Sequence, residues 1–557
     1  TVFCDTGSGP SSRNASVERG GERQSDTSDS ETTDVRRINQ QPFSREGRYD
    51  PNRFRLHFEK ESKEEVEKRK KMAREKVLQP VSDKELEIDI NDIYPSEKGL
   101  GFPRRPSWNY EMTRESLLRK EEKSYREYLD DLHSRNPPGS LSHFEHNLET
   151  WRQLWRVLEM SDVILLIVDI RHPVSDFPPA LYHYITGDLQ KQVVLVLNKA
   201  DLCPAPLVIA WKHYLTSQFP HLQIVCFTSH PGQPYSTVLQ KKRMRRKADW
   251  SHAGGPLEIL KACQDITAGK VDLSSWEQKI QRDAVAERLG GERPDEGAES
   301  VLMEQQSDSA MEMSSMSQEL YKDGVLTLGC IGFPNVGKSS VINSLVGRKV
   351  VSVSRTPGHT KYFQTYYLTQ QSNCVTALGL VFPSRVTKQL QILAGIYPVS
   401  QLQEPYSSVG YLCERTPFLS GSEELSWTAW MCVKVTWAER RGYKTAKAAR
   451  NDVYRAANSL LRLAIDGRLC LCLRPTGYSY YGSTRTDDDG GGGTGERDDE
   501  EDGESSTEPE EERDRDADDD EDGDDEDEGF GQPRRNDDKP SGFTVNMYNV
   551  LRENECE

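Results

Sequence analysis

The sequence feature that most constrains this chain is a glycine-rich stretch that joins a short apolar segment to an amphipathic one. Residues 332–340 read Gly-Phe-Pro-Asn-Val-Gly-Lys-Ser-Ser, which satisfies the pattern G-x-x-x-x-G-K-[ST] in full. The apolar residues before it, Val325–Ile331, predict a β-strand, and those after it, Val341–Val346, predict a helix that ends at Gly347. A strand, a glycine-rich turn and a helix in this order predict a loop whose backbone N–H groups surround a phosphate.

The positions within this phosphate loop predict separate roles. Gly332 and Gly337 allow the backbone to curl, so that its N–H groups face the phosphates. Lys338 is expected to contact the β- and γ-phosphates, and Ser339 to offer its hydroxyl to Mg²⁺. The predicted nucleotide-binding residues of the loop are Gly332, Phe333, Pro334, Asn335, Val336, Gly337, Lys338, Ser339 and Ser340.

A second motif lies more than a hundred residues earlier in the chain. Val163–Val168 and Val193–Leu197 are apolar runs typical of buried parallel strands, and a helix predicted over Ala180–Tyr184 makes them a βαβ unit. The second run continues into Asn198-Lys199-Ala200-Asp201, the pattern N-K-x-D. The Asp201 carboxylate is suited to accept hydrogen bonds from the N1–H and exocyclic amine of guanine, whereas adenine presents the wrong donors. The motif therefore predicts a guanine nucleotide and argues against an adenine-nucleotide enzyme.

The next apolar segment predicts a third strand and a second base-contacting loop. Ile224–Phe227 has the composition of a strand, and Thr228 and Ser229 follow it directly. This position suits a further contact with the guanine base. Strands that alternate with helices in this way predict an α/β fold with a mostly parallel sheet.

Taken together, these motifs resemble the circularly permuted GTPases of the YlqF/YawG type. An ordinary Ras-like chain has its phosphate loop before N-K-x-D, and rejoining the surface-exposed ends of such a domain would reverse that order without disturbing the site. The motifs that carry the resemblance are Asp169-Ile170-Arg171-His172-Pro173, Asn198–Asp201, Gly332–Ser340 and Thr356-Pro357-Gly358-His359-Thr360-Lys361. The resemblance implies a Ras-like P-loop domain, GTP or GDP with Mg²⁺ as ligands, and work in or near ribosome assembly.

The resemblance also implies roles for residues outside the two main motifs. Thr360 stands where the family has the switch threonine that completes the Mg²⁺ shell, and it is assigned with Lys338 to catalysis; Thr356 is a second candidate. Asn335 matches the loop asparagine that helps to hold K⁺ in such enzymes. Gly379 matches the glycine whose N–H contacts the γ-phosphate.

One position departs from the family pattern D-x-P-G-L. When Gly379-Leu380 is aligned on it, Thr376 occupies the place of the aspartate that holds the Mg²⁺ water shell. A hydroxyl does not supply the carboxylate charge, so both Mg²⁺ affinity and hydrolysis are in question. Either the sequence around residues 370–379 reflects a local error or alternative splice, or the protein binds nucleotide and turns it over poorly. Leu380 also stands where Ras-like enzymes carry a water-positioning glutamine, which predicts slow hydrolysis without a partner.

The composition predicts that the folded part has long polar attachments. Mean hydropathy is −0.75, and 26 acidic residues against three arginines lie in 487–528, which more than accounts for the net charge of −18. The predicted units are a disordered segment 1–50, a helical extension 51–140, a permuted GTPase domain 141–385 with a largely flexible insertion 236–322, a helical module 386–476, and a glycine-rich and acidic tail 477–557.

Charge and cysteine usage set expectations for partners and compartment. The eleven cysteines contain no C-x-x-C pair, and no apolar run has the length of a membrane helix, so a reducing intracellular location, nuclear or nucleolar and cytoplasmic, is expected. The basic run Lys241–Lys247 is a nuclear-import signal, a contact for a phosphate backbone, or a solvated loop. Lys444, Lys447 and Arg450 in the helical module suit either an RNA contact or an exposed helix face, and the acidic tail suits basic proteins.

Two functions from different classes fit these observations. The first is a guanine-nucleotide switch with slow GTPase activity, linked to ribosome biogenesis and to a ribosomal particle or rRNA as partner. The second is a non-catalytic scaffold whose degenerate site binds nucleotide while its charged segments recruit ribosomal or RNA partners. Thr376 is the residue that discriminates between them.

Overall fold

The computed structural model describes ten stretches of the chain, which contain both main motifs. These stretches are residues 62–95, 100–109, 111–137, 139–229, 254–288, 320–353, 364–376, 379–416, 428–445 and 449–478. The strands are β1 Glu87–Ile88, β2 Val163–Asp169, β3 Gln192–Asn198, β4 Gln223–Cys226, β5 Leu326–Gly332, β6 Gln364–Thr369, β7 Ser372–Thr376 and β8 Arg474–Pro475. The α-helices are α1 Lys63–Glu75, α2 Ile90–Ile93, α3 Arg114–Arg135, α4 Leu148–Met160, α5 Pro179–His183, α6 Ala205–Gln218, α7 Pro256–Thr267, α8 Ser274–Arg288, α9 Lys338–Val346, α10 Lys388–Leu393, α11 Tyr406–Arg415, α12 Ala429–Met431 and α13 Val453–Ile465.

Within the described residues, a six-stranded sheet forms the centre of the molecule, in the order β4-β3-β2-β5-β7-β6. All neighbouring strands are parallel except β6 and β7, which are antiparallel. β2 and β3 are continuous apolar runs, as expected of parallel strands that are covered on both faces. The predicted α/β class is confirmed, and so is the permuted order, since β5 with its phosphate loop lies beside β2 although it comes much later in the chain.

The sheet register brings the predicted motifs to one edge. Asp169 at the end of β2 pairs with Asn198 at the end of β3, and Ile167 pairs with Gly332 at the end of β5. Because parallel strands end at the same edge, the N-K-x-D motif and the phosphate loop leave the sheet as neighbours.

The sequence before β2 has apolar residues at helical spacing, and the helix that they form begins later than this pattern predicts. These residues are Phe144, Leu148, Trp151, Leu154, Trp155 and Leu158. Trp151, Leu154 and Trp155 are buried on α4, as their helical spacing predicts. Phe144, which continues that spacing, lies outside the helix, because Asn147 caps its N-terminus by accepting a hydrogen bond from Glu149 N at 3.0 Å. The residues before the cap instead run beside the segment after β7, where Glu145 N donates to Val381 O at 2.9 Å.

The insertion predicted as largely flexible over 236–322 contains two packed helices. On α7, Ile259, Leu260 and Cys263 are fully buried, and on α8 so is Trp276. Lys279 Nζ donates to Leu368 O at 3.0 Å, which places α8 along the outer strand β6. The sequence pattern over 271–289 predicts a helix, which α8 confirms. The expectation of a largely flexible insertion is wrong for 254–288, because packing on the sheet stabilises both helices. The basic run Lys241–Lys247 lies outside the described residues.

The helical module forms a second core beside the sheet, and α1 belongs to it. Apolar residues of α1, α10, α11 and α13 pack together in this core. Ion pairs connect α1 to the same region, with Arg69 Nε 3.7 Å from Glu404 Oε2 and Lys76 Nζ 3.2 Å from Glu414 Oε1. Leu78 and Leu86 of the predicted extension also belong to this second core, whereas α2 and Phe102 pack on the core of the sheet. The extension is thus divided between the two cores.

A short parallel pair joins the extension to the end of the module. β1 pairs with β8 through Glu87 and Arg474, and Trp211 Nε1 on α6 donates to Leu473 O at 3.1 Å. These contacts hold the last described residues of the module against α6, the helix that follows Asn198–Asp201, the predicted guanine-reading motif. None of the helices in the described stretches has the length and hydropathy needed to cross a bilayer.

Replacement of Trp276 by alanine tests whether the insertion is part of the core. We expect Trp276→Ala to lower the free energy of unfolding by about 3–5 kcal/mol, because it removes a fully buried indole and leaves a cavity. Trp276→Phe is the matched variant and should cost much less, since the indole N–H has no partner among the described residues. Denaturant unfolding followed by circular dichroism measures both. Equal stability of Trp276→Ala and the parent protein would mean that α8 does not pack on the sheet.

Candidate nucleotide-binding site

The phosphate loop has a backbone that only glycine accommodates at two positions. Gly332 has φ 154°, and a Cβ there would lie 2.3 Å from Ile167 O on the neighbouring strand. Gly337 has φ 99°, and a Cβ there would lie 2.2 Å from the Asn198 side-chain nitrogen. The close approach of Gly337 to Asn198 explains why the loop needs glycine immediately before α9.

Lys338 begins α9 and extends back over the loop. Its Nζ donates to Gly332 O at 3.1 Å and to Phe333 O at 2.6 Å. Burial lowers the pKa of the Lys338 ammonium to about 7, although the Asp176 carboxylate opposes that shift. An anionic phosphate beside Lys338 would raise this pKa and stabilise the charged form.

Two further predicted residues border the same loop. Ser339 is the second residue of α9 and is partly exposed, so its hydroxyl is accessible at the helix N-terminus. Gly379 faces the loop from the segment after β7, since a Cβ there would lie 2.7 Å from Pro334 Cα and 3.0 Å from Lys338 Nζ. Gly379 therefore lies beside the lysine expected to hold the terminal phosphates.

The guanine-reading motif contacts the phosphate loop directly. The Asn198 side-chain nitrogen donates to Val336 O at 2.7 Å, and Lys199 Nζ donates to Asn335 O at 2.9 Å. Lys199 itself has φ 61°, a left-handed conformation that turns the chain sharply after β3. The structure thus brings together two motifs that are separated by more than a hundred residues in sequence.

The second base-contacting loop has two different parts. Thr228 Oγ1 donates to Asp201 Oδ1 at 2.7 Å, which places Thr228 beside the carboxylate predicted to read guanine. The base contact predicted for Thr228 stays a prediction. The Ser229 hydroxyl and the Asn198 side-chain oxygen are buried and have no hydrogen-bond partner among the described residues. Buried polar atoms without partners are costly. A purine base that offers donors and acceptors at its edge fits this pair, and guanine in addition supplies the donors that Asp201 accepts.

The metal side of the site is less fully defined. Thr360 and Thr356 lie outside the described residues, and no group of three or more His, Cys, Asp or Glu side chains in the described stretches could hold a metal ion. Thr376 ends β7, is 2% exposed, and its hydroxyl lies 3.4 Å from Cys330 O on β5. The residue at the position of the family aspartate therefore directs its oxygen toward the sheet backbone.

The Asn335 side chain lies against the helical module. Asn335 has φ 61°, and a Cβ added to Gly395 would lie 2.3 Å from its side-chain nitrogen. Its backbone oxygen accepts the hydrogen bond from Lys199. The K⁺ contact predicted for Asn335 stays a prediction.

A buried charge network beneath the guanine-reading motif was not assigned a role in the sequence. Asp169 accepts from Arg171 Nε at 3.0 Å and Nη2 at 2.8 Å, and also from Lys199 Nζ at 2.7 Å. Burial alone would raise the pKa of Asp169, but Arg171, Lys199 and His172 hold it well below its ordinary value. The available signal was an aspartate and an arginine two residues apart at the carboxyl end of a buried strand.

Comparisons with known proteins agree with this geometry. A family model described as a 50S ribosome-binding GTPase matches residues 327–391. Guanine nucleotide-binding protein-like 1 of Pongo abelii is 58% identical over 482 residues, which cover 82% of this chain and 79% of that protein; the Homo sapiens protein of that name has the same identity and coverage. Large subunit GTPase 1 of Saccharomyces cerevisiae is 31% identical over 405 residues, covering 67% of this chain and 57% of that protein.

Among solved structures, GNP-bound YlqF from T. maritima aligns with 59% of this chain and 98% of its own, at 15% identity and a TM-score of 0.33. The high identity to the guanine nucleotide-binding protein-like 1 sequences extends over most of both chains. The chain therefore belongs to the guanine nucleotide-binding protein-like 1 family of circularly permuted GTPases.

Proposed function

We propose that this GTP-binding protein is a molecular switch that hydrolyses GTP slowly and changes its interactions when the γ-phosphate is lost. The observation that carries the proposal is the direct contact between the two loops, through Asn198 to Val336 O and Lys199 to Asn335 O. One nucleotide can then place its base at Asp201 and its phosphates at Lys338. Contacts with the base and contacts with the phosphates would both contribute to the affinity for the nucleotide. Each set of contacts depends on the position of the other loop.

The residues divide into binding and catalytic roles. Asp201 and Ser229 would hold the guanine base, with Asn198 between the base and the phosphate loop. Lys338 and the backbone N–H groups of the loop would hold the phosphates and stabilise charge that develops as the terminal phosphate leaves. Mg²⁺, when bound at Ser339, would neutralise the phosphate oxygens, and Thr360 is proposed to complete its shell.

Hydrolysis is proposed to be slow because two usual catalytic groups are replaced. Thr376 supplies no carboxylate to the Mg²⁺ water shell, and its hydroxyl lies near Cys330 O. Leu380 is 2% exposed and has an apolar side chain at the position where a glutamine would orient water. A partner that supplies a polar group would therefore accelerate turnover.

The partner proposed is a large ribosomal particle or its rRNA. The family description names 50S ribosome binding, and one relative is named for the large subunit. Exposed cations of the helical module, among them Arg450 and Arg455, provide the charge for a phosphate backbone. A nuclear or nucleolar and cytoplasmic location, and K⁺ as a further ion at Asn335, are parts of the same proposal.

The alternative function is a scaffold that binds guanine nucleotide without hydrolysing it. The observation that favours it is again Thr376, since a buried hydroxyl replaces the metal-side carboxylate. Under this alternative the nucleotide would be a structural ligand. Both proposed functions require guanine-nucleotide binding, and only the switch requires GTP hydrolysis.

Asp201→Asn tests base recognition. The change replaces an acceptor by a donor, so we expect the dissociation constant for GDP to rise by about a hundredfold or more, while that for xanthosine diphosphate falls. Asp188→Asn is the matched control, because Asp188 is an exposed carboxylate paired with Arg104 at 2.8 Å. Fluorescent-nucleotide competition measures both variants. An Asp201→Asn protein that binds GDP as tightly as the parent would contradict the assignment of Asp201.

Thr376→Asp tests the cause of slow turnover. We expect the carboxylate to raise the GTP hydrolysis rate by about tenfold or more and to lower the Mg²⁺ concentration needed, because it returns a charge to the metal side of the site. Thr376→Asn is the control of similar size without the charge. Phosphate release is measured in K⁺ and in Na⁺ buffers. GTP binding without hydrolysis in the parent and in Thr376→Asp would favour the scaffold and end the switch proposal.

A further inference from the structure

A buried arginine connects the guanine-reading motif to the helical module. Arg171 is 3% exposed, and its guanidinium binds both oxygens of Asp169. The same guanidinium donates through Nη1 to Ala464 O at 2.8 Å, and Nη2 lies 3.5 Å from Ile465 O, at the end of α13. The last carbonyls of a helix have no partners within the helix and carry partial negative charge, so a cation is favoured there.

From Asp169 the same chain of contacts continues to both nucleotide loops. Asp169 Oδ2 accepts from Lys199 Nζ at 2.7 Å, and Lys199 Nζ donates to Asn335 O at 2.9 Å. Lys199 lies two residues before Asp201, and its left-handed conformation determines the direction in which the chain reaches that carboxylate. Four groups therefore lie in series: the end of α13, Arg171, Asp169 and Lys199.

The helical module also touches this region at three other points. A Cβ at Gly467 would lie 2.6 Å from the Leu202 side chain, which follows Asp201 directly. Leu473 N donates to Arg171 O at 2.8 Å, and the thiols of Cys203 and Cys472 are 3.2 Å apart. The segment after α13 thus lies against Arg171 and against Leu202 and Cys203, which directly follow the guanine-reading motif.

The charges in this series make Arg171 difficult to replace. Asp169 is a single carboxylate between the Arg171 guanidinium and the Lys199 ammonium, and it is 1% exposed. Without Arg171 the carboxylate would lose its bidentate partner, and Ala464 O, which also accepts from Gly467 N at 3.2 Å, would lose its charged donor. A planar, forked guanidinium can donate to a carboxylate and to a helix end at the same time. A lysine at this position would do so less well.

We propose that Arg171 is a positioning residue for guanine recognition, through which the end of α13 sets the placement of Asp169, Lys199 and hence Asp201. The inference rests on the proposed binding of guanine at Asp201 and adds that base selectivity depends on a contact with the helical module. Arg171 does not touch the nucleotide in this role. It acts through the turn that presents the base-reading carboxylate.

The experiment measures the dissociation constants for GDP and for inosine diphosphate, which lacks the exocyclic amine from which Asp201 is proposed to accept a hydrogen bond. In Arg171→Gln, we expect the dissociation constant for inosine diphosphate divided by that for GDP to fall by about tenfold toward one, because Asp201 is no longer placed to bind the amine. Arg171→Lys keeps the cation and should give an intermediate ratio. If Arg171→Gln does not fold, Arg171→Lys serves as the test instead. An unchanged ratio in a folded Arg171→Lys protein would then overturn the inference.

Lys199→Met tests whether the two residues act in one series. Combining it with Arg171→Gln should lower the ratio no further than Lys199→Met alone, since both changes break the same connection. Independent, additive losses would mean that Arg171 acts by another route and would overturn the inference.

Arg105→Gln is the matched control for general destabilisation. Arg105 is a half-buried arginine whose Nε is 2.9 Å from Glu121 Oε1, on α3, and whose Nη1 is 2.6 Å from Glu159 Oε2, on α4. It should lower the thermal midpoint and leave the ratio unchanged. A parent protein without preference for GDP would overturn the proposed function and this inference with it. A preference that survives intact in folded Arg171→Gln would overturn the inference alone.

Discussion

The contact between the carboxyl ends of β3 and β5 is the constraint on which the rest of the site depends. Asn198 and Lys199 donate to Val336 O and Asn335 O, so the guanine-reading motif and the phosphate loop are fixed against each other by the protein itself. β2 lies between these two strands and pairs with both in parallel. Its register decides which residues reach the edge together. A shift of one position in either pairing would turn the side chains to the other face and separate the loops.

Permutation changes the order in which the chain builds this edge. The base-reading half is complete at Ser229, and the phosphate loop is added only after α7 and α8. The strands that meet at the site are therefore far apart in sequence, and closing such a long loop costs chain entropy. The helical module and the β1–β8 pair then enclose the same region from the other side. The nucleotide site lies where three separate parts of the chain converge.

Much of the sheet and the site could be predicted because local patterns and physical requirements coincide there. The apolar runs of β2 and β3, the glycine positions at Gly332 and Gly337, and the N-K-x-D turn each require particular residue types at a fixed spacing. The fold class followed from the alternation of these strands with helices. The meeting of the two motifs at one edge of the sheet followed once both were assigned to the ends of parallel strands, whereas the hydrogen bond from Asn198 to Val336 O did not.

The missed features depend on tertiary contacts that leave weak traces in sequence. The local pattern of the insertion predicts a helix over 271–289, but it predicts neither α7 nor the burial of Trp276 against the sheet. Phe144 continued a helical spacing, yet the Asn147 cap set the helix start. The hydrogen bond from Thr228 to Asp201 joins two loops, and the pattern of neither loop reveals it. Arg171 reaches a helix end almost three hundred residues away, which no local spacing reveals.

The position of α8 along β6 has a consequence for solubility. β6 is the outer strand of the sheet, and an outer strand offers unpaired backbone groups to which a foreign strand can add. Lys279 donates a hydrogen bond to one of these groups, Leu368 O, and α8 packs along the strand. The insertion thus shields the sheet from intermolecular pairing. A form of the chain that lacked α8 would keep its nucleotide loops and gain a surface prone to self-association.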